Sequence, residues 1–198
     1  MTRVKMCGLR SEADVRAVLE LRPDFAGFIL SGGFRRSISR ETFAELSAML
    51  IGSGVKRVGV FVNEPLDSII GFADYIDVIQ LHGSEDEDYI RSLRKLTDKP
   101  IIKAITVRSE ADIEAARVSS ADYVLLDSGT GTGTAFDHSL IKDIGHPFFL
   151  AGGLTSENVG GAIDRFEPFA VDASSSLETD GVKDKTKMSA FLIAVRGN

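Results

Sequence analysis

Pro147-Phe148-Phe149-Leu150-Ala151-Gly152-Gly153-Leu154-Thr155-Ser156-Glu157 compresses a complete folding unit into one short stretch. The apolar run Pro147–Ala151 reads as a buried strand, and the glycine pair stops it. Thr155-Ser156-Glu157 then reads as a helix start, with Thr155 the expected cap. Outward from this stretch, the same order of strand, small or polar loop and helix start recurs along the chain. The expected strands are Arg3–Cys7, Ala26–Leu30, Lys56–Val62, Asp77–Leu81, Ile101–Ile105, Tyr123–Asp127, Pro147–Ala151 and Phe169–Ser174. Their starts recur at intervals of roughly two dozen residues, the size of a compact strand–helix unit.

The helix starts between them repeat one chemistry. Ser11 with Asp14 makes a loose capping box ahead of Val15, Val18 and Leu19. Ser39 stands ahead of Phe43 and Leu46, and Ser84-Glu85-Asp86-Glu87 gathers acids where a helix dipole favours them. Ser109-Glu110 opens a further helix, and Asp184 to Arg196 places Met188, Phe191, Leu192 and Val195 on one face. Strands alternating with helices pair in parallel, because each strand is entered from the same end. Eight such units predict an α/β fold, a single-domain (β/α)8 TIM barrel over residues 1–198, with a doubly wound open sheet as the alternative. The chain is short for a barrel, so the helix around Asp137–Asp143 is expected to be brief.

Composition narrows the function classes. Hydrophobic residues make up 43% and charged residues 26% of 198, ordinary globular values that exclude a disordered or fibrous chain. No apolar run approaches the roughly 20 residues of a membrane span, and Met1–Lys5 passes into a strand without the apolar stretch of a signal peptide. A net charge of −6 predicts no nucleic-acid partner. The single cysteine excludes an internal disulfide framework and points to a reducing, cytoplasmic setting. His82, His138 and His146 lack metal-ligand spacing, so no metal is expected. A monomer and a homodimer fit equally well.

In a parallel barrel the chemistry sits where strands end. Gly152-Gly153 after the seventh strand and Ser174-Ser175-Ser176 after the eighth offer backbone N–H groups to a phosphate, and the serines could begin a short extra helix. Cys7 ends the first strand, and alternation puts Arg3, Lys5 and Cys7 on one face. An inward Lys5 needs a carboxylate, and Asp172 on the adjoining eighth strand is available; the cation would favour a Cys7 thiolate. Asp127 ends an apolar strand, where desolvation favours the neutral carboxyl that a general acid requires. Arg35-Arg36, on a glycine-rich rim loop, could clamp a carboxylate, and His82 shares a strand face with Gln80. Gly129 to Thr134 is neither a dinucleotide fingerprint nor a P-loop.

These residues together resemble the phosphoribosylanthranilate isomerase family of tryptophan biosynthesis. Val4-Lys5-Met6-Cys7-Gly8-Leu9, Arg57 to Asn63, Gln80-Leu81-His82-Gly83, Leu125-Leu126-Asp127-Ser128 and Ala151-Gly152-Gly153-Leu154 are similar to its motifs and stand in its order. Phe169 to Ser175, Glu178 and Gly181-Val182-Lys183-Asp184 close the set. The resemblance implies an Amadori rearrangement of N-(5-phosphoribosyl)anthranilate to the corresponding 1-deoxyribulose, without a cofactor. It implies Asp127 as general acid, Cys7 as general base and Arg36 on the anthranilate carboxylate, ambiguous by one residue with Arg35. His82 is expected on the substrate, Asp172 is to position substrate or Cys7, and Gly152, Gly153, Ser174 and Ser175 are to hold the phosphate. Departures fall at Ser176, Ala173, His138 and the loop Ser31–Ser37, and none touches Cys7 or Asp127. A related isomerase of histidine biosynthesis, with aspartate at the first strand, and a non-catalytic phosphometabolite-binding barrel are the alternatives.

Overall fold

In a computed structural model, which describes residues 1–127, 141 and 144–197, the strands close on themselves. β1 (Arg3–Cys7), β2 (Phe25–Ile29), β3 (Lys56–Phe61), β4 (Val78–Leu81), β5 (Ile101–Thr106), β6 (Tyr123–Asp127), β7 (Phe148–Leu150) and β8 (Ala170–Ala173) pair in chain order. β8 then pairs in parallel with β1, which rules out the open sheet. Each observed strand overlaps its expected range, with ends moved by no more than two residues.

Seven helices lie outside the barrel among the described residues: α1 (Glu12–Leu21), α2 (Arg40–Met49), α3 (Leu66–Ile70), α4 (Glu87–Arg94), α5 (Glu110–Arg117), α6 (Val159–Phe166) and α7 (Lys185–Arg196). Ser11 and Ser109 form full capping boxes with Asp14 and Asp112, and Ser39 and Asp184 cap α2 and α7. Within Ser84–Glu87 it is Asp86 that caps α4, while Glu85 turns inward to Lys103 and Ser84 bonds to Asn63 Oδ1. One start differs from expectation. Asn158, not Thr155, precedes α6. Its side chain accepts from Thr155 N at 2.8 Å and donates to Gly153 O at 3.0 Å, folding those residues into a turn instead of a helix. The expected short helix around Asp137–Asp143, His138 and the Gly129–Thr134 run lie outside the described residues.

Alternation along the strands sorts side chains into two cores. Val4, Met6, Phe28, Ile79 and Leu126 face the helices, where Phe43 and Phe191 are fully packed and Phe72 is partly buried. Cys7, Val58, Val60, Ile102, Leu125 and Phe149 face the barrel axis. At the N-terminal end, Phe25, Tyr123, Phe149 and Phe169 pack with ring centroids 4.7 to 6.5 Å apart, and the Arg3 guanidinium lies 4.2 Å over Phe169. This aromatic plug keeps water from the axis below the rim.

Around the same end three aspartates tie neighbouring strands. Asp24, Asp77 and Asp122 each stand just before a strand and accept the backbone N–H of Val4, Arg57 and Ile101 at 2.7 to 2.9 Å. Asp77 also takes Arg57 Nε and Nη2 at 2.9 and 3.0 Å, and those bonds outweigh its burial and hold its carboxyl below the usual range. Higher in the axis, Lys5 is wholly buried and its Nζ meets Asp172 Oδ2 at 2.9 Å, the two residues being register partners across the seam. The pairing inferred from strand alternation is therefore present.

Two stability predictions follow from these contacts. Asp77→Ala, which strands a backbone donor and a guanidinium, should cost about 1–3 kcal/mol in a urea titration; an unchanged midpoint would deny the ties a structural role. Lys5→Met and Asp172→Leu should each cost about 3–5 kcal/mol, because each leaves its partner buried alone. The double variant should recover most of that loss, and additive costs would mean that the two side chains do not act as a pair.

Candidate active site

The inward-facing column of each strand ends at the C-terminal mouth, so strand alternation alone decides which side chains meet there. Cys7 ends β1, His82 follows β4, Asp127 ends β6, and Asp172 with Ser174 ends the β8 column; all line one cavity of about 700 Å³. Arg36, Gly152, Gly153 and Ser175 reach the same cavity from the loops. Every site residue expected from sequence is thus brought to one place.

Cys7 is tightly housed. It faces Gly27 of β2, where a Cβ would stand 2.7 Å from the thiol sulfur, so the glycine makes the room the thiol occupies. Burial pushes the thiol above its ordinary range, with Asp172 adding to the rise, while Lys5 and Lys183 pull the other way. Desolvation wins, which corrects the expectation that Lys5 would favour a resting thiolate. For Lys5 the balance is reversed: burial alone would lower it, but Asp172 and Cys7 together keep the ammonium charged. Asp172 is pushed up by burial despite Lys5. Its Oδ1 is buried with no hydrogen-bond partner among the described residues and belongs to a side chain lining the cavity.

Across the mouth, His82 Nε2 lies 3.8 Å from Asp127 Oδ2, beyond hydrogen-bond reach. Burial depresses the imidazole pKa, assisted by Lys5 and Lys103 and opposed by Asp127 and Asp172, so the ring is neutral near pH 7. The buried Gln80 amide lies against the ring, its Nε2 2.8 Å from His82 Nδ1, and so turns His82 Nε2 toward Asp127. A fitted frame supports this wall. Glu85 accepts from Lys103 Nζ, Gly83 N and Asn63 N, and Asn63 Oδ1 in turn accepts from Ser84 N.

The loops expected to hold the phosphate lie on the β7 and β8 side. Gly152 and Gly153 adopt φ of +87° and +66°, left-handed conformations that glycine takes without strain. Ser175–Leu177 forms the short 3₁₀ turn anticipated after the eighth strand. Ser174 Oγ, however, donates to Cys7 O at 3.0 Å, so its proton is already committed within the protein.

The arginine pair holds a feature that sequence reasoning did not assign. Arg36 and Arg35 both bond Glu178, which also takes Lys183 Nζ at 2.9 Å. Three cations hold the Glu178 carboxyl down at about 2 against the cost of its burial. Arg36 is the less exposed arginine, 19% against 55%, and its Cδ lies where a side chain on Gly8 would stand. Glu178 and Lys183 sit on a small hairpin after the barrel, β9 (Glu178–Thr179) with β10 (Val182–Lys183). Their presence in the ordered motif set signalled importance, but only the fold shows what they touch. Gly27 had a local signal, a glycine inside a strand, which goes with a close approach.

Comparison with known proteins agrees with this geometry. A family model described as N-(5'-phosphoribosyl)anthranilate (PRA) isomerase matches residues 4–194. An N-(5'-phosphoribosyl)anthranilate isomerase of Endomicrobium trichonymphae is 40% identical over 195 residues, covering 95% of each chain. The crystal structure of phosphoribosyl anthranilate isomerase from Thermotoga maritima superposes with a TM-score of 0.88 at 37% identity, covering 100% of both chains. Another, of the isomerase in complex with reduced 1-(o-carboxyphenylamino)-1-deoxyribulose 5-phosphate, gives 0.87 at 37% identity, again over 100% of both. A full-length sequence match and a shared closed barrel coincide with a rim that carries a buried thiol, a carboxylate and an arginine, and the chain belongs to the N-(5'-phosphoribosyl)anthranilate isomerase family.

Proposed function

We propose that this rim converts N-(5'-phosphoribosyl)anthranilate to 1-(2-carboxyphenylamino)-1-deoxyribulose 5-phosphate, the aldose–ketose isomerisation of tryptophan biosynthesis, with residues 1–198 acting as one unit. The observation that carries the residue assignment is the convergence of Cys7 and Asp127, ending β1 and β6, on one cavity. Those strands are separated by β7 and β8 around the ring, so acid and base approach the sugar from different walls.

Asp127 donates a proton to the ribose ring oxygen as the C1–O bond breaks and the anilino nitrogen forms a Schiff base. Cys7, as thiolate, then removes the proton from C2. The electrons of that C–H bond flow to the iminium, giving an enolamine that tautomerises to the ketone. Protons and bonds balance without an external oxidant or reductant. The neutral His82 turns Nε2 toward Asp127 and the sugar, and the unpartnered Asp172 Oδ1 can accept from a sugar hydroxyl. Gly152, Gly153 and Ser175 receive the phosphate through backbone N–H groups and the Ser175 hydroxyl. Ser174 contributes its backbone, since its hydroxyl holds Cys7 O. Arg36 receives the anthranilate carboxylate. A catalytic thiol must stay reduced, which supports a cytoplasmic location.

Freshly prepared phosphoribosylanthranilate should lose its fluorescence on mixing with the protein. Cys7→Ser and Asp127→Asn should each slow that loss by about 10²- to 10⁴-fold, the usual worth of a general base or acid. Full activity in Cys7→Ser would assign the base elsewhere. Because burial raises the Cys7 pKa, the active thiolate is the minor form near neutrality. For that reason alkylation of Cys7 by iodoacetamide, which reads the thiolate alone, should speed up about tenfold per pH unit from about pH 7 to 8.5. A flat alkylation profile over that window would mean a resting thiolate and overturn the raised thiol.

A further inference from the structure

Glu178 lies outside the acid–base pair and the phosphate loops, yet four charge-assisted hydrogen bonds converge on its carboxylate. Its side chain is 5% exposed and collects Arg35, Arg36 and Lys183. Arg36 gives it Nε at 2.5 Å and Nη2 at 3.0 Å, the side-on edge of the guanidinium. A guanidinium has five N–H donors in a rigid plane, so a carboxylate on that edge leaves the end-on Nη1/Nη2 fork intact. Arg36 lines the cavity, and its chain crosses directly over Gly8 beside Ser174.

We propose that Glu178 is a positioning residue that holds Arg36 by one edge so that the other edge meets the aryl carboxylate of the substrate, which makes it a determinant of the preference for a carboxylated arylamine. The inference rests on the reading of Arg36 given above. Charge arithmetic supports recognition over mere neutralisation. Three cations share one carboxylate, which leaves a local excess of positive charge for an incoming anion. The network also runs onward to the reacting end. Lys183 Nζ holds Ser174 O at 2.9 Å, and Ser174 Oγ holds Cys7 O at 3.0 Å. Both of those bonds end on backbone carbonyls and neither involves the Glu178 carboxylate, so the strand end that carries Cys7 stays held when Glu178 loses its charge.

The test compares two inhibitors on the intact protein: reduced 1-(o-carboxyphenylamino)-1-deoxyribulose 5-phosphate and the same molecule lacking the carboxyl. Unmodified protein should prefer the carboxylated compound by at least tenfold. Glu178→Gln should bring that preference close to parity through weaker binding of the carboxylated compound alone. The substrate KM should rise at least tenfold while kcat stays within threefold. Glu178→Asp, which keeps the charge, should restore part of the preference, and it carries the same comparison if the glutamine variant does not fold. Equal weakening of both inhibitors, or a fall in kcat at constant KM, would reduce Glu178 to a structural brace and overturn the proposal. Tighter binding of the carboxylated compound to Glu178→Gln would make Glu178 a competitor of the substrate and would overturn it too. If the unmodified protein shows no preference, the Arg36 reading itself fails; if preference is present and unchanged in both variants, only the role of Glu178 fails.

Discussion

An ammonium group with no solvent exposure inside a hydrocarbon-lined barrel is the constraint on which the rest depends. Lys5 can remain charged there only if a carboxylate reaches it, and Asp172 does so from the strand across the seam. That pairing sets the register of β8 on β1, with Lys5 opposite Asp172. The same register carries Cys7 and Ser174 to the mouth at heights where Ser174 can bond the Cys7 carbonyl. The aromatic plug below keeps this axis dry, and dryness raises the thiol against the pull of two lysines. Barrel closure and the protonation of the thiol therefore share one cause.

Much of this was legible in the chain because it follows from periods. Strand alternation put Arg3, Lys5 and Cys7 on one face, and the end-of-strand rule then named the rim. The ordered motifs named the family. Contacts that depend on competition between distant groups were not legible. Which residue of Ser84–Glu87 caps α4 is one example: Glu85 finds Lys103 eighteen residues away, and Asp86 takes the cap. Thr155 is held in a turn ahead of α6, where Asn158 Oδ1 accepts its N–H and its own hydroxyl accepts from Glu157 N. The Cys7 expectation weighed a nearby cation and not the depth of burial, and burial is the larger effect. Glu178 stands 142 positions from Arg36, a pairing that no local pattern announces.

The two sides of the mouth are stiffened differently. On the β3–β4 side, Glu85, Asn63, Gly83 and Lys103 lock two loops through backbone bonds, and Asn63 takes a left-handed φ of +53° to do so. A Cβ on Gly83 would meet Asn63 Oδ1 at 2.4 Å, so the two loops fit only with glycine there. Opposite, around the β9–β10 hairpin, charged side chains carry the stiffness. Arg10 adds to them by bonding Gly181 O at 2.5 Å and Arg35 O at 3.3 Å. The first arrangement braces the wall that carries His82; the second keeps cations concentrated where an anionic substrate would arrive.

That second arrangement has a bearing on how the molecule is made. A ribosome delivers Cys7 and Arg36 early, but Asp172, Ser174, Glu178 and Lys183 arrive only after seven strands have been synthesised. Until then Lys5 has no counter-charge and Arg36 has no carboxylate to orient it. The nascent chain therefore holds the thiol and the arginine but no assembled centre, and on the assignment proposed above turnover waits for the last strand to dock. The contacts that switch the catalyst on are also among the longest in sequence, spanning 167 positions for Lys5 and Asp172. Such closures form slowly, so gain of activity should report the final step of folding rather than its early collapse.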